Sequence, residues 1–247
     1  MVFTLLGATA VAAGSAALNQ WLEVEQDSKM KRTRHRPLPA GRMGAWQALG
    51  LGLSLSALGE AFLFWRVNDL TAYLGLAALI SYVAVYTPLK KITSLSTLVG
   101  AVPGALPPLM GWTAVTGRLD APGLALFSIL FLWQIPHFLA IATYRAADYA
   151  RAGFKVLPLA ISTRATRATI VLFSIGLVAA TITLEPLRVA GFGYLTCAAV
   201  LGAVFIGWAA AGFRRAAANA WARSLFFYSI VYLTLLFVAL VIDRTIA

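Results

Sequence analysis

Charge is what this sequence has least of. Among 247 residues only nine are Asp or Glu, and charged residues make up 12%, where a soluble domain carries about a quarter. One cysteine excludes an intrachain disulfide framework, and with two histidines it leaves too few ligands for a Cys/His zinc cluster. That cysteine, Cys197, lies in "YLTCAAVLGAVF", where a thiol packs as a small hydrophobe. No soluble segment, linker or low-complexity tract is visible, so the chain reads as one domain over residues 1–247.

Apolar residues are abundant instead, at 60% of the chain with a mean hydropathy of +0.81. Crossing a bilayer takes roughly 17–25 apolar residues. Eight stretches qualify, near 2–20, 44–65, 69–88, 96–116, 121–143, 167–184, 189–212 and 223–242. The fold class this implies is all-α, a polytopic transmembrane helical bundle.

The basic residues divide unequally between alternate loops. Sixteen of the twenty follow the odd-numbered spans, from Lys29 and Arg42 through Arg145, Arg151 and Lys155 to Arg214, Arg215 and Arg223. The other side has Arg66, Arg118, Arg188 and Arg244. This bias makes the rich face cytoplasmic. The net charge of +11 is therefore a topology signal with some attraction for anionic headgroups or an anionic substrate. So apolar a chain is no nucleic-acid binder; its surroundings are membrane lipid.

Polar chemistry concentrates on that face. The first apolar run leads into "NQWLEVEQDSKMKRTRHRPLPAGR", Asn19 to Arg42. If the helix continues, Asn19, Glu23 and Asp27 form an i, i+4, i+8 stripe, and Glu25 points nearly the opposite way. Grouped carboxylates at a hydrocarbon boundary must be offset by positive charge. Mg2+ suits oxygen ligands and completes its shell with water and phosphate. The cluster Lys31, Arg32, Arg34 and Arg36 suits the remaining phosphate charge. Acids that simply pair with the loop's own bases are the alternative, and spacing alone leaves both open.

A second polar site lies in "WQIPHFLAIATYRAADYARAGFKVLP", where Tyr144 and Asp148 are four apart. His137 falls inside the span, as a functional group or as a neutral imidazole bonded to a neighbouring helix. A third, "YTPLKKITS", places Lys90 and Lys91 at the end of the third span. Carboxylates and bases above an apolar bundle suit a substrate with a diphosphate head and a long hydrocarbon tail.

At these residues the sequence resembles a known family. The Asn19, Glu23, Asp27 pattern is similar to the first Asp-rich motif of the membrane-embedded prenyltransferases. "MKRTRHRPLPAGR", "YTPLKK", "GAVPGALPPLMGWTAVTG" and "WQIPHFLAIATYRAADYARAG", in that order, resemble its heme branch, the protoheme IX farnesyltransferases or heme O synthases. The likeness is strong from Asn19 to about Pro158 and beyond that extends only to the spans. It implies farnesyl diphosphate held through Mg2+ by Asn19, Glu23 and Asp27, with a second acidic site at Asp148. It implies Lys31, Arg32 and Arg36 on the diphosphate with Lys90 or Lys91 assisting, and substrate contacts from Tyr144 and His137. Protoheme IX would be a substrate, farnesylated on a vinyl group with addition of water, and not a cofactor. The implied setting is a bacterial-type inner membrane with cytoplasmic active-site loops, and heme-oxidase assembly proteins as downstream partners.

The sequence departs from the family pattern at three places. Tyr144 stands where the wider superfamily has an acid, Glu23 where Asp is usual, and Ser96 where Asn is common. Family members have nine spans and the Asn19 row closes the second, so the resemblance implies one more helix ahead of this sequence, with bases on its cytoplasmic flank. Two other functions remain compatible. A prenyltransferase for a quinone precursor or chlorophyll-like acceptor would share the acidic site. A small-molecule transporter would want paired broken helices, and "GAVPGALPP" is expected to break only one span.

Overall fold

Hydrocarbon offers no partner for a backbone N–H or C=O, so apolar runs of this length must close their hydrogen bonds internally. In the structure, a computed structural model that describes residues 1–214 and 218–246, they do so as helices. Arg215 lies outside the described residues. Among the described residues there is no strand, and eight helices are long and apolar enough to cross a membrane.

In chain order the elements are α1 (Val2–Leu22), α2 (Val24–Lys29), α3 (Ala45–Arg66), α4 (Asp69–Ile80), α5 (Thr87–Ile92) and α6 (Ser96–Thr116). There follow α7 (Ala121–Tyr144), α8 (Ala146–Arg151), α9 (Leu157–Ala160), α10 (Thr163–Ile182), α11 (Phe192–Ala211) and α12 (Ala218–Ile246). A π-helical segment, Ser81–Tyr86, joins α4 to α5 in one span, Asp69–Ile92. Two spans outrun their apolar cores. The third carries Lys90 and Lys91 inside its helix, and the last begins at Ala218 and so includes Arg223. Long basic side chains reach from a helix to the polar boundary, which lets the helix extend past the apolar run.

The chain packs as two compact units. One comprises Met1–Leu119 and Ala147–Val156, the other Asp120–Ala146 and Leu157–Ala247.

In the first unit α1 packs on α3 through glycine. Lipid supplies no hydrophobic drive between helices, so small residues that let backbones approach are the favoured contact. Gly7 and Gly14 on α1 meet Gly52 and Gly59 on α3, spaced by seven on each helix. A Cβ at Gly14 would stand 2.6 Å from the Ser56 nitrogen, and one at Gly59 would stand 2.7 Å from the Val11 nitrogen. Leu63 covers Gly7 and Leu18 covers Gly52. Val11, Leu63, Ala72 and Met110 form the buried core beside this seam. Polar groups bind α4 to α6. Asn68 caps α4 by accepting from the Thr71 N–H at 2.8 Å and donates to the Thr113 carbonyl at 3.0 Å.

The expected break in "GAVPGALPP" does not occur. Pro103, Pro107 and Pro108 lie within a helix that runs from Ser96 to Thr116. Prolines are tolerated in membrane helices because neighbouring groups and local adjustments satisfy the freed carbonyls. The π segment is what departs from regularity here: the Thr87 N–H donates to the Tyr82 carbonyl, five residues back. Tyr86 then lies over Gly100, where a Cβ would stand 2.4 Å from the ring.

In the second unit, α7, α10, α11 and α12 pack together. Phe205 sits edge-on to Tyr232 at 5.0 Å and Tyr228 at 5.6 Å. The Asp243 carboxylate near the end of α12 accepts from the Tyr194 N–H at 3.0 Å and from the Gly191 N–H, a negative charge at the positive end of α11.

The glycine seam predicts a sharp contrast. Gly14→Ala forces α1 and α3 apart and lowers the thermal unfolding midpoint in detergent, with overpacking costing about 1–3 kcal/mol. Gly50→Ala, at a position with nothing within 4 Å, leaves the midpoint unchanged or slightly raised. Equal midpoints for the two variants would contradict this seam.

Candidate functional site

The apolar face of α1 ends at Leu18, and the chain turns polar one residue later. The structure corrects the single straight helix expected through Asn19–Asp27. α1 stops at Leu22, and Glu23 bends out at φ −112°, ψ 14° before α2 resumes. The bend keeps i→i−4 bonding, with the Glu23 N–H donating to the Asn19 carbonyl at 3.0 Å and the Asp27 N–H to the Glu23 carbonyl at 2.8 Å. The row therefore survives: Asn19, Glu23 and Asp27 are 6%, 3% and 3% exposed. Glu25 is the contrast. Its carboxylate is open to solvent and bound 2.5 Å from Lys29, whose hydrogen bond and charge hold its carboxyl below the usual range.

Each acid of this row has a cation. Lys90 Nζ lies 2.6 Å from Glu23 Oε2, and Arg36 Nη1 lies 2.7 Å from Asp27 Oδ2. Asn19 Nδ2 donates to Glu23 Oε2 and to Thr87 Oγ1, both at 3.0 Å. The Thr87 hydroxyl donates to the Tyr82 carbonyl at 2.9 Å. The π turn thus sets the phase at which Thr87 and Lys90 meet α1. The Lys90 ammonium also sits over the rings of Tyr86 and Phe154, at 4.7 and 5.4 Å. Such aromatic faces favour a cation withdrawn from water.

Asp148 enters the same unit through the segment Ala147–Val156. It is buried and paired with Arg151. Phe154 and Ala152 pack on Met30, and the Lys155 N–H donates to the Lys90 carbonyl at 2.8 Å. The first unit therefore gathers Asn19, Glu23, Asp27, Arg36, Lys90 and the Asp148 segment. Lys31 and Arg32 are exposed beside them.

The remaining candidates are Lys91 in the first unit and Tyr144 and His137 in the second. Lys91 is exposed and lines an apolar cavity of about 610 Å3, with Trp21, Leu53, Val83 and Thr87, rather than joining Lys90. Tyr144 does not share a helix with Asp148. It ends α7, Arg145 bends out at φ −110°, ψ 13°, and Asp148 lies in α8. Tyr144 belongs to the second unit, 6.0 Å from the ring of Phe226. His137, in that unit, is buried with Nδ1 2.7 Å from Ser229 Oγ on α12. Its ring stacks on Trp133 at 4.5 Å. Ser96 is buried at the start of α6.

Several residues escaped the sequence reading. Thr87 left no trace, because the π turn that aims it has none. Arg151 had a usable signal, an i, i+3 spacing from Asp148. Glu60 was also visible as a lone acid inside an apolar span. It is buried in α3 against Gly75, and neither carboxylate oxygen has a hydrogen-bond partner.

Among the described residues no three His, Cys, Asp or Glu side chains gather as a ready metal cluster. The donor chemistry of the α1 row nonetheless fits a hard cation. Glu23 Oε1 is buried with no hydrogen-bond partner, as is Gln26 Oε1 one turn on. Carboxylate and amide oxygens are the ligands Mg2+ takes. The positive charge this row demands is held by Lys90 and Arg36.

Comparison with known proteins gives concordant results. The model of the UbiA prenyltransferase family matches residues 1–231. The protoheme IX farnesyltransferase of Anaeromyxobacter sp. (strain Fw109-5) is 53% identical over 237 residues, which span 96% of this chain and 80% of that protein. Among solved structures, a digeranylgeranylglyceryl phosphate synthase matches with a TM-score of 0.83 and 16% identity, over 98% of this chain and 84% of that one. A UbiA homologue from Archaeoglobus fulgidus bound to GPP and Mg2+ matches with a TM-score of 0.65 and 16% identity, over 97% and 87% of the two chains. At these identities the structural likeness concerns the fold.

The buried pair can be tested through stability alone. Lys90→Met strands the Glu23 carboxylate, and breaking a buried pair on one side costs about 3–5 kcal/mol. Lys90→Met with Glu23→Gln regains most of that loss, measured as unfolding midpoints in detergent. A single variant as stable as the double would show that the pair is not structural.

Proposed function

This chain belongs to the UbiA prenyltransferase family, and we propose that it transfers the farnesyl group of farnesyl diphosphate to a vinyl group of protoheme IX. Water adds in the same reaction, and the products are heme O and diphosphate. The observation that carries the reading is the buried row Asn19, Glu23, Asp27 at the end of α1, opposed by Lys90 and Arg36. It occurs in a chain 53% identical to a protoheme IX farnesyltransferase. The family model spans both compact units, which supports treating residues 1–247 as one catalytic domain. The excess of bases after odd-numbered spans supports a cytoplasmic site in a bacterial-type inner membrane.

The chain's own groups account for much of the chemistry. Arg36 and Arg151 orient Asp27 and Asp148 and keep further N–H donors for phosphate oxygens, a fork that Arg presents bidentately. Lys31 and Arg32 add positive charge at the mouth, where the anionic head enters. Mg2+ bound by the oxygens of Asn19, Glu23 and Asp27, with Asp148 as the second acidic site, would supply the charge that stabilises diphosphate as a leaving group. The apolar cavity beside Thr87 suits the isoprenoid tail, with Lys91 at its rim.

Cleavage of the farnesyl C1–O bond leaves the electron pair on diphosphate and an allylic cation on the chain. The terminal vinyl carbon of the porphyrin supplies the electrons for the new C–C bond. Water then bonds to the inner vinyl carbon and loses a proton, leaving a hydroxyethylfarnesyl side chain. Apolar walls keep bulk water from quenching the cation before the C–C bond forms. Tyr144 and His137, both in the second unit, are assigned to the acceptor side. Heme-oxidase assembly proteins are the consumers this product implies.

Membranes containing the protein, given heme b, farnesyl diphosphate and Mg2+, should yield heme O by mass, and chelation of the metal should stop its formation. Asp27→Asn and Asp148→Asn should each lower turnover by roughly a hundredfold or more, the scale for losing one group that stabilises transition-state charge. Glu25→Gln should remain near the parent rate. Equal losses at Asp27 and Glu25 would sink the buried row as the site, and near-normal turnover in Asp148→Asn would remove Asp148 from it.

A further inference from the structure

The second unit has a basic cavity that the diphosphate chemistry does not use. It lies between the C-terminal end of α7 and the first turns of α12, encloses about 290 Å3, and is lined by Tyr144, Arg145, Asn219, Ala220 and Arg223. Two arginines, an asparagine and a tyrosine line it, and no lining residue is acidic; the Arg145 guanidinium also lies over the Tyr144 ring, 5.5 Å from its centroid. α12 has no acid in its first turn, so the positive end of its peptide dipoles adds to the field there. Both arginines are exposed.

An apolar row of rings runs from this cavity into the unit. Tyr144 lies 6.0 Å from Phe226, Phe226 lies 4.8 Å from His137, and His137 lies 4.5 Å from Trp133. The far end of the row is fixed by polar bonds. Trp133 Nε1 donates to the Ser229 carbonyl at 2.7 Å, and His137 Nδ1 lies 2.7 Å from the Ser229 hydroxyl. Tyr144 and Phe226 are half-buried, whereas His137 is buried. His137 is thus a positioning residue that holds Phe226.

We propose that this cavity binds the two propionate carboxylates of the porphyrin acceptor, with Tyr144 and Phe226, whose rings meet at 64°, as apolar contacts for the macrocycle. The proposal rests on the function given above. Arg recognises a carboxylate through paired N–H donors, which a Lys cannot reproduce. Protoheme IX carries both propionates on one edge and both vinyl groups on the opposite edge. Anchoring the charged edge at the polar boundary therefore directs the reactive vinyl edge into the apolar interior. The cavity's volume suits the carboxylate arms and leaves the flat ring to the aromatic row.

The test pairs Arg145→Ala and Arg223→Ala with two acceptors, heme b and its dimethyl ester. KM for heme b should rise about tenfold or more in each variant, as expected for losing a charged hydrogen bond. KM for farnesyl diphosphate and the unfolding midpoint should stay at parent values. The parent should discriminate against the ester by a similar factor, and the variants should not. Unchanged KM for heme b, an ester accepted as well as heme b by the parent, or a rise in KM for farnesyl diphosphate instead would each overturn the proposal. Absorbance titration of the purified protein with both iron porphyrins reads the same discrimination without turnover. A parent that makes no heme O but still prefers heme b over the ester would refute the reaction and leave this site standing.

Discussion

The contact between Lys90 and Glu23 governs how the first unit can be built. Held ionised, a carboxylate with almost no solvent exposure needs a close cationic partner, because desolvation exceeds anything packing returns. The partner must come from another span at a fixed height and angle. Three separate features supply it. The glycine seam against α3 fixes where α1 ends, the π turn rotates Thr87 and Lys90 toward that end, and the Lys155 backbone bond ties the Lys90 turn to the segment carrying Asp148. Each constrains where the Lys90 ammonium can meet Glu23.

The same local construction occurs twice. A long apolar helix ends, one residue takes φ near −110° and ψ near 14°, and a six-residue helix follows with a buried aspartate. α1, Glu23 and α2 do this around Asp27; α7, Arg145 and α8 do it around Asp148. In each case a later arginine holds the aspartate, Arg36 nine residues on in one and Arg151 three residues on in the other. A bend there lets a short second helix set off in a new direction while backbone hydrogen bonding continues.

Span positions were legible because hydropathy acts over some twenty residues, and the excluded face of Glu25 was legible because helical period survives a mild bend. Asn19, Glu23 and Asp27 could be read from spacing for the same reason. What stayed hidden depends on departures from period. The π turn shifts phase without any sequence mark, so neither Thr87 nor the choice between Lys90 and Lys91 could be read from spacing. The prolines of α6 misled in the other direction, since their local preference for a break yields to satisfaction by neighbouring groups. His137 was readable as an imidazole bonded across helices, but the bond to Ser229 is a tertiary fact.

Glu60 has a consequence for how the chain reaches its bilayer. Its carboxylate lies buried in α3 with both oxygens unpartnered, and a mid-span acid adds about 2.5–3.5 kcal/mol to the work of releasing a lone helix from the translocon into lipid. α1 leaves the ribosome before α3 and offers it a face of matching glycines, Gly7 and Gly14 against Gly52 and Gly59. The Glu60 carboxylate, however, lies against Gly75 of α4, so the α1–α3 pair alone does not cover it and α4 must join. The acid thus couples membrane partitioning of α3 to the helix that follows it, and makes the order of biogenesis part of the fold.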